Sequence, residues 1–540
     1  MATHNSCHEA QMLIDKKIAD LTARTQDSIR LLKTRRNELA SVCKLPDEIL
    51  QCIFLILRDS TDLHPKNWHH VTDVCRHWRH VAIGSPSLWT RLRDFPPALT
   101  RLMLERSQNA PLDVRLTFRC SITTLAAILH EVERIRTLDF DGMHNVLDTV
   151  YDILAGLGRD WEASLLQSLT IHTAGYNTVA APASVKILAD VFHPTRRLRR
   201  LSLINAYYDG SMFPLPSVTH LCLYGRPLGD VSGAQFTETL HQMQNLQALE
   251  ISLKDTNIRQ FLPTPRPRPI HFPCLRRLEI SDGDQDLLEP FLSLVTHPRL
   301  HQLQIIPSSL VTNVVTFIKL ILSSIGKANF GLLEFLTIKD QDVTLSTSPE
   351  VDIFYYDELS SFITTWISTS AHDDDCGTTF RLVADVMSCL SPVDLPDRIR
   401  LRYISMDSSD APIAEFTRLF ASLPHLETIK VYHKTALVLF KAMNITSTSD
   451  SAIPTTPIPF PKLQTIIWHN HDHTEDDWHS HIETDTPLVS STTFSDLYSG
   501  LLSRRAHGVP IIKLELGIDE VFDDIQSSLL KGIGIEVVIK

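Results

Sequence analysis

The segment PCLRRLEI, residues 273–280, carries a short pattern that returns through most of the chain. An apolar residue is followed by two variable residues, a leucine or isoleucine, one more variable residue and another apolar residue. Eleven copies occur, at residues 135–140, 166–171, 198–203, 218–223, 246–251, 275–280, 300–305, 333–338, 426–431, 463–468 and 511–516. Five copies have a proline two positions before them, at Pro216, Pro273, Pro298, Pro424 and Pro461. Proline cannot donate a hydrogen bond to a sheet, so it suits the turn that enters a strand.

The spacing within this pattern predicts one strand per copy. Its last two apolar residues are two positions apart, so both side chains lie on the same side of a strand. Stacked strands of this kind form a parallel sheet whose apolar face is closed by the intervening helices. We therefore predict an α/β fold, a solenoid of parallel strands with outer helices, over residues 110–540. The gap between residues 338 and 426 is expected to hide a degenerate copy near RIRLRYI, residues 398–404. The alternative is an unrelated α/β domain of similar periodicity.

The polar residue between the two last apolar positions should point away from the core in each copy. These residues are Asp139, Thr170, Ser202, Glu250, Glu279, Gln304, Thr337 and Lys430. In a solenoid they would share the concave face, which is the usual ligand surface of such folds. Because their charges are mixed, we predict that they bind a target protein.

Three segments interrupt the repeats and are predicted to be insertions without regular structure. Residues 262–273 are rich in proline and should form an extended spacer. Residues 444–461 and 484–496 are rich in serine, threonine and proline, a composition typical of disorder.

Residues 10–42 contain no glycine or proline and are predicted to form one helix. A single stripe with alternating spacings of four and three residues runs along it: Ile14, Ile18, Leu21, Thr25, Ser28, Leu32, Arg35 and Leu39. The middle of this stripe is polar, which weakens a long coiled coil. Two interpretations remain open: the helix packs on its own domain, or it associates with a second copy.

Residues 43–92 are predicted to form a compact helical module. Pro46, Asp47 and Glu48 mark a helix start, because proline fits the first turn and acids favour the positive end of the helix dipole. A second helical stretch carries an apolar face made by Trp68, Val71, Cys75, Trp78 and Ala82. A module of about fifty residues is small for a core of its own. Its large aliphatic surface therefore predicts a partner.

The ordered residues of this module resemble the F-box, the adaptor-docking module of ubiquitin-ligase substrate receptors. The matching residues are Leu45, Pro46, Glu48, Ile49, Leu50, Ile53, Phe54, Val74, Cys75, Arg76, Trp78, Arg79, Ala82, Pro86, Leu88 and Trp89. The resemblance implies docking on a Skp-type adaptor, and through it on a cullin. It assigns the adaptor contact to Leu45, Pro46, Ile49, Leu50, Ile53, Phe54, Val74, Cys75 and Trp78. The loop between Leu57 and Trp68 is longer than in the shortest F-boxes.

Residues 12–92 together resemble the N-terminal half of F-box proteins that are numerous in mushroom-forming fungi. The repeats downstream resemble the irregular leucine-rich repeats that commonly follow an F-box. The asparagine of more regular leucine-rich repeats is mostly missing, so the resemblance does not imply regular curvature.

Composition and motifs argue against several other classes of protein. The net charge of −12 disfavours a protein that binds nucleic acid, and nine scattered cysteines without a C-x-x-C pair suit reduced thiols in the cytoplasm or nucleus. We expect no secretory signal. The longest apolar run, residues 314–326, is broken by Lys319, so no membrane-spanning segment or membrane partner is predicted. No nucleophile, nucleotide or zinc-protease motif occurs, so no enzyme activity, cofactor or metal is predicted. The histidine-rich residues 468–481 are interpreted as a solvated loop, with an adventitious metal site as the alternative.

The leading functional hypothesis is the substrate-recognition subunit of an SCF-type cullin ubiquitin ligase. It would bind the Skp adaptor through the F-box and a target protein through the repeats. The alternative is a non-degradative protein-binding scaffold in which the F-box is degenerate.

Overall fold

In the computed structural model the chain forms two compact units. The first contains residues 1–178 and 183–198, and the second contains residues 179–182 and 199–540. The structure describes residues 2–60, 68–142, 147–156, 163–173, 197–206, 215–224, 233–252, 268–283, 285–307, 314–326, 330, 332–339, 342–348, 362–366, 384–390, 399–406, 412–444, 458–469, 489–517 and 522–539.

The first unit begins with helices and continues with short parallel strands. Its helices are α1 (Ala2–Glu38), α2 (Asp47–Ser60), α3 (Val71–Val74), α4 (Arg76–Ile83), α5 (Pro97–Ser107), α6 (Ile122–Leu129) and α7 (Leu147–Gly156). Its strands are β1 (Arg91–Leu92), β2 (Leu112–Thr117), β3 (Ile135–Asp141) and β4 (Ser168–His172). Each strand pairs in parallel with the next.

Helix α1 ends earlier than the sequence predicts. It stops at Glu38, and residues 41–44 form a separate 3₁₀ turn entered through Ala40 in an extended conformation. The apolar residues of the predicted stripe, including Ile18, Leu21 and Leu32, are exposed along the helix. In the described part of the chain, the interpretation that α1 packs on its own domain is therefore wrong. Association with a second copy stays a prediction.

Deleting residues 1–38 is expected to change the unfolding temperature of the remaining chain by less than about 2 °C. The reason is that α1 buries none of its stripe, so its removal exposes little new apolar surface. Thermal unfolding followed by circular dichroism measures the effect. A fall of more than about 5 °C would show that α1 packs on the rest of the chain.

The helical module has a core of aromatic rings. The ring centroids of Phe54 and Trp78 are 5.0 Å apart, and those of Trp68 and Trp89 are 5.1 Å apart. The indole nitrogen of Trp89 donates a hydrogen bond to the carbonyl oxygen of Ala82 at 2.8 Å. The aromatic residues that the sequence concentrates here therefore join α2 and α4 to the turn that follows them.

The second unit alternates strands and helices for most of its length. Its strands are β5 (Arg200–Ile204), β6 (His220–Tyr224), β7 (Ala248–Ser252), β8 (Ile270–His271), β9 (Arg277–Gly283), β10 (Val295–Thr296), β11 (Gln302–Pro307), β12 (Leu333–Lys339), β13 (Asp342–Ser346), β14 (Phe362–Trp366), β15 (Ile399–Met406), β16 (Thr428–Tyr432), β17 (Thr465–His469), β18 (Lys513–Leu516) and β19 (Glu536–Ile539). Its helices are α8 (Gly233–Gln242), α9 (Gln285–Leu294), α10 (Val314–Gly326), α11 (Ile413–Phe420), α12 (His433–Ala442), α13 (Ser491–Ala506) and α14 (Asp524–Gly532).

Most strands of this unit pair in parallel, and their apolar residues alternate with polar ones. Strands β5, β6, β7, β9 and β11 are successive parallel neighbours, as are β12, β15, β16, β17, β18 and β19. Strand β15 is the degenerate copy expected near residues 398–404. The chain is thus an α/β protein, with N-terminal helices followed by a parallel sheet with helices, consistent with an α/β repeat solenoid.

The prediction of a wholly parallel sheet is wrong at β13. This strand pairs antiparallel with both β12 and β14, and β14 in turn pairs in parallel with β11. Lys339, the last residue of β12, is opposite Asp342, the first of β13, so two residues connect the strands. A connection this short allows only an antiparallel hairpin, whereas a parallel crossover needs about a dozen residues or more.

The three predicted insertions are more structured at their ends than expected. Within 262–273, strand β8 pairs with β10 and Phe272 is buried. Within 444–461, Phe460 is buried against Phe416, with ring centroids 6.3 Å apart. Within 484–496, α13 begins at Ser491 and is capped by Ser490, whose hydroxyl accepts from the backbone of Thr493. Buried aromatic residues and a helix cap fix these parts; residues 262–267, 445–457 and 484–488 lie outside the described residues.

Candidate functional site

A stripe of exposed aliphatic side chains runs along α2. Ile49, Ile53, Ile56 and Leu57 keep exposed fractions of 47%, 39%, 68% and 40%. Their spacing of four, three and one residues places them on one side of a helix. This group is called the aliphatic stripe below. Val74, at the end of α3, is exposed as well.

Two residues assigned to the adaptor contact do not lie on this surface. Leu50 and Phe54 are fully buried, and Phe54 packs on Trp78 inside the module. An adaptor cannot reach them on the folded surface, so their assignment is corrected to the internal core. Leu45 and Trp78 are half-buried, and Pro46 is exposed.

Cys75 occupies a different place from the predicted one. The sequence put it inside a continuous helix from Trp68 to Ala82, but its backbone is extended, with φ −156° and ψ 172°, and it separates α3 from α4. Its sulfur accepts a hydrogen bond from the backbone nitrogen of Trp78 at 3.4 Å. Cys75 therefore caps α4. Burial and, to a smaller extent, the Cys75 thiol raise the pKa of the Cys43 thiol.

Six of the polar residues predicted to bind a target lie in register across the strands of the second unit. Ser202 is aligned through Cys222 with Glu250, Glu279 and Gln304. The row continues through residues 364 and 344 to Thr337, and from there through residue 405 to Lys430. Six of the eight predicted residues thus form one line, called the polar row below. Glu279 departs from the prediction because it is only 7% exposed.

The other two residues, Asp139 and Thr170, are register partners in the first unit. Arg115 lies 3.4 Å from Asp139 and 3.2 Å from Asp141, and the latter also contacts Nδ1 of His172 at 2.9 Å. Burial raises the pKa of Asp139, while Arg115 acts in the opposite direction. These strands line a concavity of about 430 Å³, whose walls include Arg91, Arg93, Arg115, Arg136, Asp113 and Asp139. Its walls therefore carry both positive and negative charges.

Comparison with known proteins assigns the helical module to a family. Residues 42–94 match the F-box-like family. The sequence placed this module at residues 43–92, and the match confirms the resemblance for this part of the chain. F-box domains generally bind Skp-type adaptors, and the aliphatic stripe lies within this F-box-like domain.

The remaining comparisons carry less information. A search of curated proteins finds no match. One similar solved structure is described as the crystal structure of a TLR13–ssRNA13 complex, with 11% sequence identity and a TM-score of 0.26. The similarity covers 83% of this chain and 47% of that one, so this chain spans about half the length of that protein. The evidence for the repeats is therefore the strand pattern of this chain itself.

Several residues of these surfaces were not assigned from the sequence. Ile56 and Leu57 extend the aliphatic stripe, and helical spacing from Ile49 and Ile53 would have found them. Cys222, Thr344, Thr364 and Ser405 also belong to the polar row. Cys222 is apolar, Ser405 follows the irregular copy near residues 398–404, and Thr344 and Thr364 lie on strands outside the eleven copies. Register with neighbouring strands, which a single sequence does not reveal, places them.

The described part of the chain contains neither a candidate membrane-spanning helix nor a candidate metal site. No helix there has the length and apolarity needed to cross a membrane. No group of three histidine, cysteine or acidic side chains there could hold a metal ion. Of the histidine-rich residues 468–481, only Trp468 and His469 are described, at the end of β17; the rest lie outside the described residues.

Proposed function

We propose that the chain is the substrate-recognition subunit of an SCF-type cullin ubiquitin ligase. The F-box-like domain binds a Skp-type adaptor, and the polar residues of the strands hold a target protein. The observation that carries this proposal is the aliphatic stripe, four exposed branched side chains on one side of α2 in a domain of this family.

The free energy of burial supports a docking role for the stripe. Fully burying an isoleucine or leucine side chain stabilises a complex by about 1.5–3 kcal/mol relative to leaving it in water. Contiguous apolar surface of this kind marks interaction sites, and a helix face fits a groove on a partner. We assign the centre of the contact to Ile49 and Ile53, with Ile56, Leu57 and Val74 around them.

In this proposal the chain contributes position, not bond chemistry. Holding a target next to the ubiquitin-conjugating enzyme raises the local concentration of the two reactants, which is sufficient to accelerate transfer. The adaptor links the chain to a cullin, and the complex works in the cytoplasm or nucleus. The target is degraded in a ubiquitin-dependent manner.

Co-expression with a Skp-type adaptor tests the proposal. The full chain is expected to co-purify with the adaptor, and the double substitution Ile49→Asp, Ile53→Asp is expected to abolish co-purification. Loss of a central contact typically costs at least about 2 kcal/mol, or roughly thirtyfold in affinity, and two charges placed in an apolar contact cost more. Both side chains are exposed, so the variant should still fold, which circular dichroism checks.

A matched control introduces the same charges elsewhere. Ile512→Asp, Ile525→Asp changes two isoleucines that are exposed in the second unit, and it should co-purify like the unmodified chain. Failure of the unmodified chain to bind any Skp-type adaptor would reject the proposal that the chain is a ligase subunit. It would favour the scaffold, in which the F-box-like domain is degenerate and only the strands bind a partner.

A further inference from the structure

The centre of the polar row holds two carboxylates that share one guanidinium. Glu250 on β7 and Glu279 on β9 are register partners, so their side chains project from the same face of adjacent strands. Arg277 donates a hydrogen bond to Oε2 of Glu279 at 2.6 Å and lies 3.4 Å from Oε1 of Glu250. Within the described part of the second unit, one positive charge at this place thus faces two negative charges.

The two carboxylates differ in their burial and in the contacts that their oxygens make. Glu279 is buried, and it accepts hydrogen bonds from the Tyr224 hydroxyl on Oε1 and from Arg277 on Oε2. The Glu250 side chain keeps 28% exposure and has the longer contact with Arg277. Burial raises the pKa of Glu250, Arg277 lowers it, Glu279 raises it again, and a hydrogen bond with the Cys222 side chain lowers it. Of the two carboxylates, Glu250 thus keeps the greater exposure and the longer contact with the shared guanidinium.

A second, independent observation concerns the neighbouring hydroxyl. Ser281 follows Glu279 by two residues on β9, so its side chain lies on the same face of the strand. It is only 5% exposed, and its Oγ has no hydrogen-bond partner among the described residues. A buried hydroxyl without a partner destabilises a fold, and it is commonly completed by a bound group.

We propose that Glu250, Glu279, Tyr224 and Ser281 form the position at which the chain recognises a lysine or arginine side chain of its target protein. An ammonium or guanidinium group supplies donors to the partly exposed carboxylate of Glu250 and to the Ser281 hydroxyl, and its charge balances the second carboxylate. The oxygen of Tyr224, whose proton is donated to Glu279, accepts a further hydrogen bond. The inference rests on the proposed function because the ligand belongs to the target.

Glu515, another acidic residue of the same face, differs from Glu250 and Glu279 in how its charge is balanced. Glu515 on β18 is aligned with Ile467 and, through it, with Lys430 of the polar row. Lys513 donates to Oε1 of Glu515 at 2.5 Å, so this carboxylate has a cation of its own. The shared guanidinium, and not acidity alone, distinguishes the position at Glu250.

Fluorescence anisotropy with the full chain tests the inference. The probe is a short fluorescein-labelled peptide with two central lysines flanked by glycine and serine, at physiological ionic strength. Two further peptides are measured for comparison. In one both lysines are acetylated, and in the other both are replaced by arginine. Glu250→Gln is expected to weaken binding of the lysine peptide by roughly tenfold, the typical effect of one hydrogen bond to a charged group.

The variants are chosen so that misfolding does not imitate the effect. Glu250→Gln leaves Arg277 paired with Glu279, so the cluster becomes neutral and should fold. Glu515→Gln removes the same charge from the same face and is expected to bind the lysine peptide like the unmodified chain.

The outcomes separate this inference from the proposed function. Binding of the acetylated peptide as tightly as the lysine peptide, or equal weakening by both substitutions, would overturn it, because attraction would then not depend on this position. Absence of binding by the unmodified chain would overturn it as well. Glu250→Gln should co-purify with the adaptor, so a failure of adaptor binding in the unmodified chain affects the ligase proposal alone.

Discussion

Replacing Phe54 with alanine is expected to lower the free energy of unfolding of the F-box-like domain by about 3–5 kcal/mol. Phe54 is fully buried, and its ring packs on Trp78 with centroids 5.0 Å apart. Removing the ring takes away its transfer free energy and leaves a cavity that the surrounding helices fill only in part. Urea denaturation followed by tryptophan fluorescence measures the change, because Trp68, Trp78 and Trp89 report on this module.

Phe118→Ala is the matched control for this prediction. Phe118 is 64% exposed in the same unit, so its removal should change the free energy of unfolding by less than about 0.5 kcal/mol. If Phe54→Ala unfolded at the same urea concentration as the unmodified chain while losing the adaptor, Phe54 would be a contact residue after all.

This pair of substitutions separates two roles that the sequence leaves mixed. Ile49 and Ile53 alternate along α2 with Leu50 and Phe54, and all four are large and apolar. Helical periodicity groups them into one broad face, since neighbouring positions are only about 100° apart around the axis. Contacts with Trp78 and the other rings decide which half of that face is internal. A change on the internal half acts through folding, and a change on the aliphatic stripe acts through binding.

The strands were predictable because their information is local. Leu278 and Ile280 are two residues apart and both are buried, as the pattern at residues 275–280 requires. The hairpin formed by β12 and β13 was not predictable in the same way. The sequence of β13 alternates like any short strand, and its antiparallel pairing follows from a two-residue connection after Lys339. Such pairing depends on which strand is adjacent in space, and the repeat pattern does not contain that information.

The candidate site shows the same division between local and tertiary information. Alternation correctly placed Glu250, Gln304 and Lys430 on the polar side of their strands. It also put Glu279 on that side, but it could not show that Tyr224 and Arg277 cover it. Tyr224 reaches Glu279 from a strand that is two positions away in the sheet. A side chain long enough to cross a strand changes burial in a way that spacing along one strand does not reveal.

Replacing Arg504 with methionine is the second substitution expected to have a large effect, lowering the free energy of unfolding of the second unit by at least about 2 kcal/mol. Arg504 on α13 is fully buried, and burial lowers its pKa to about 10. Its guanidinium donates hydrogen bonds to the carbonyl oxygens of Pro459, Phe460 and Leu463 at 2.6, 2.8 and 3.2 Å. These bonds connect α13 to the turn that precedes β17.

The size of this effect follows from the carbonyl groups of Pro459 and Leu463, which lose the guanidinium as their donor. The carbonyl oxygen of Phe460 still accepts from the backbone nitrogen of Leu463 at 3.2 Å. Methionine fills much of the same volume but donates no hydrogen bond, and each buried acceptor without a donor costs about 1–3 kcal/mol. Arg505→Met is the control, because Arg505 is exposed one residue later on the same helix and its loss should have little effect. Urea denaturation by circular dichroism compares the two variants. Equal midpoints would mean that water replaces the guanidinium at these carbonyl groups, and that Arg504 does not hold the start of β17 in place.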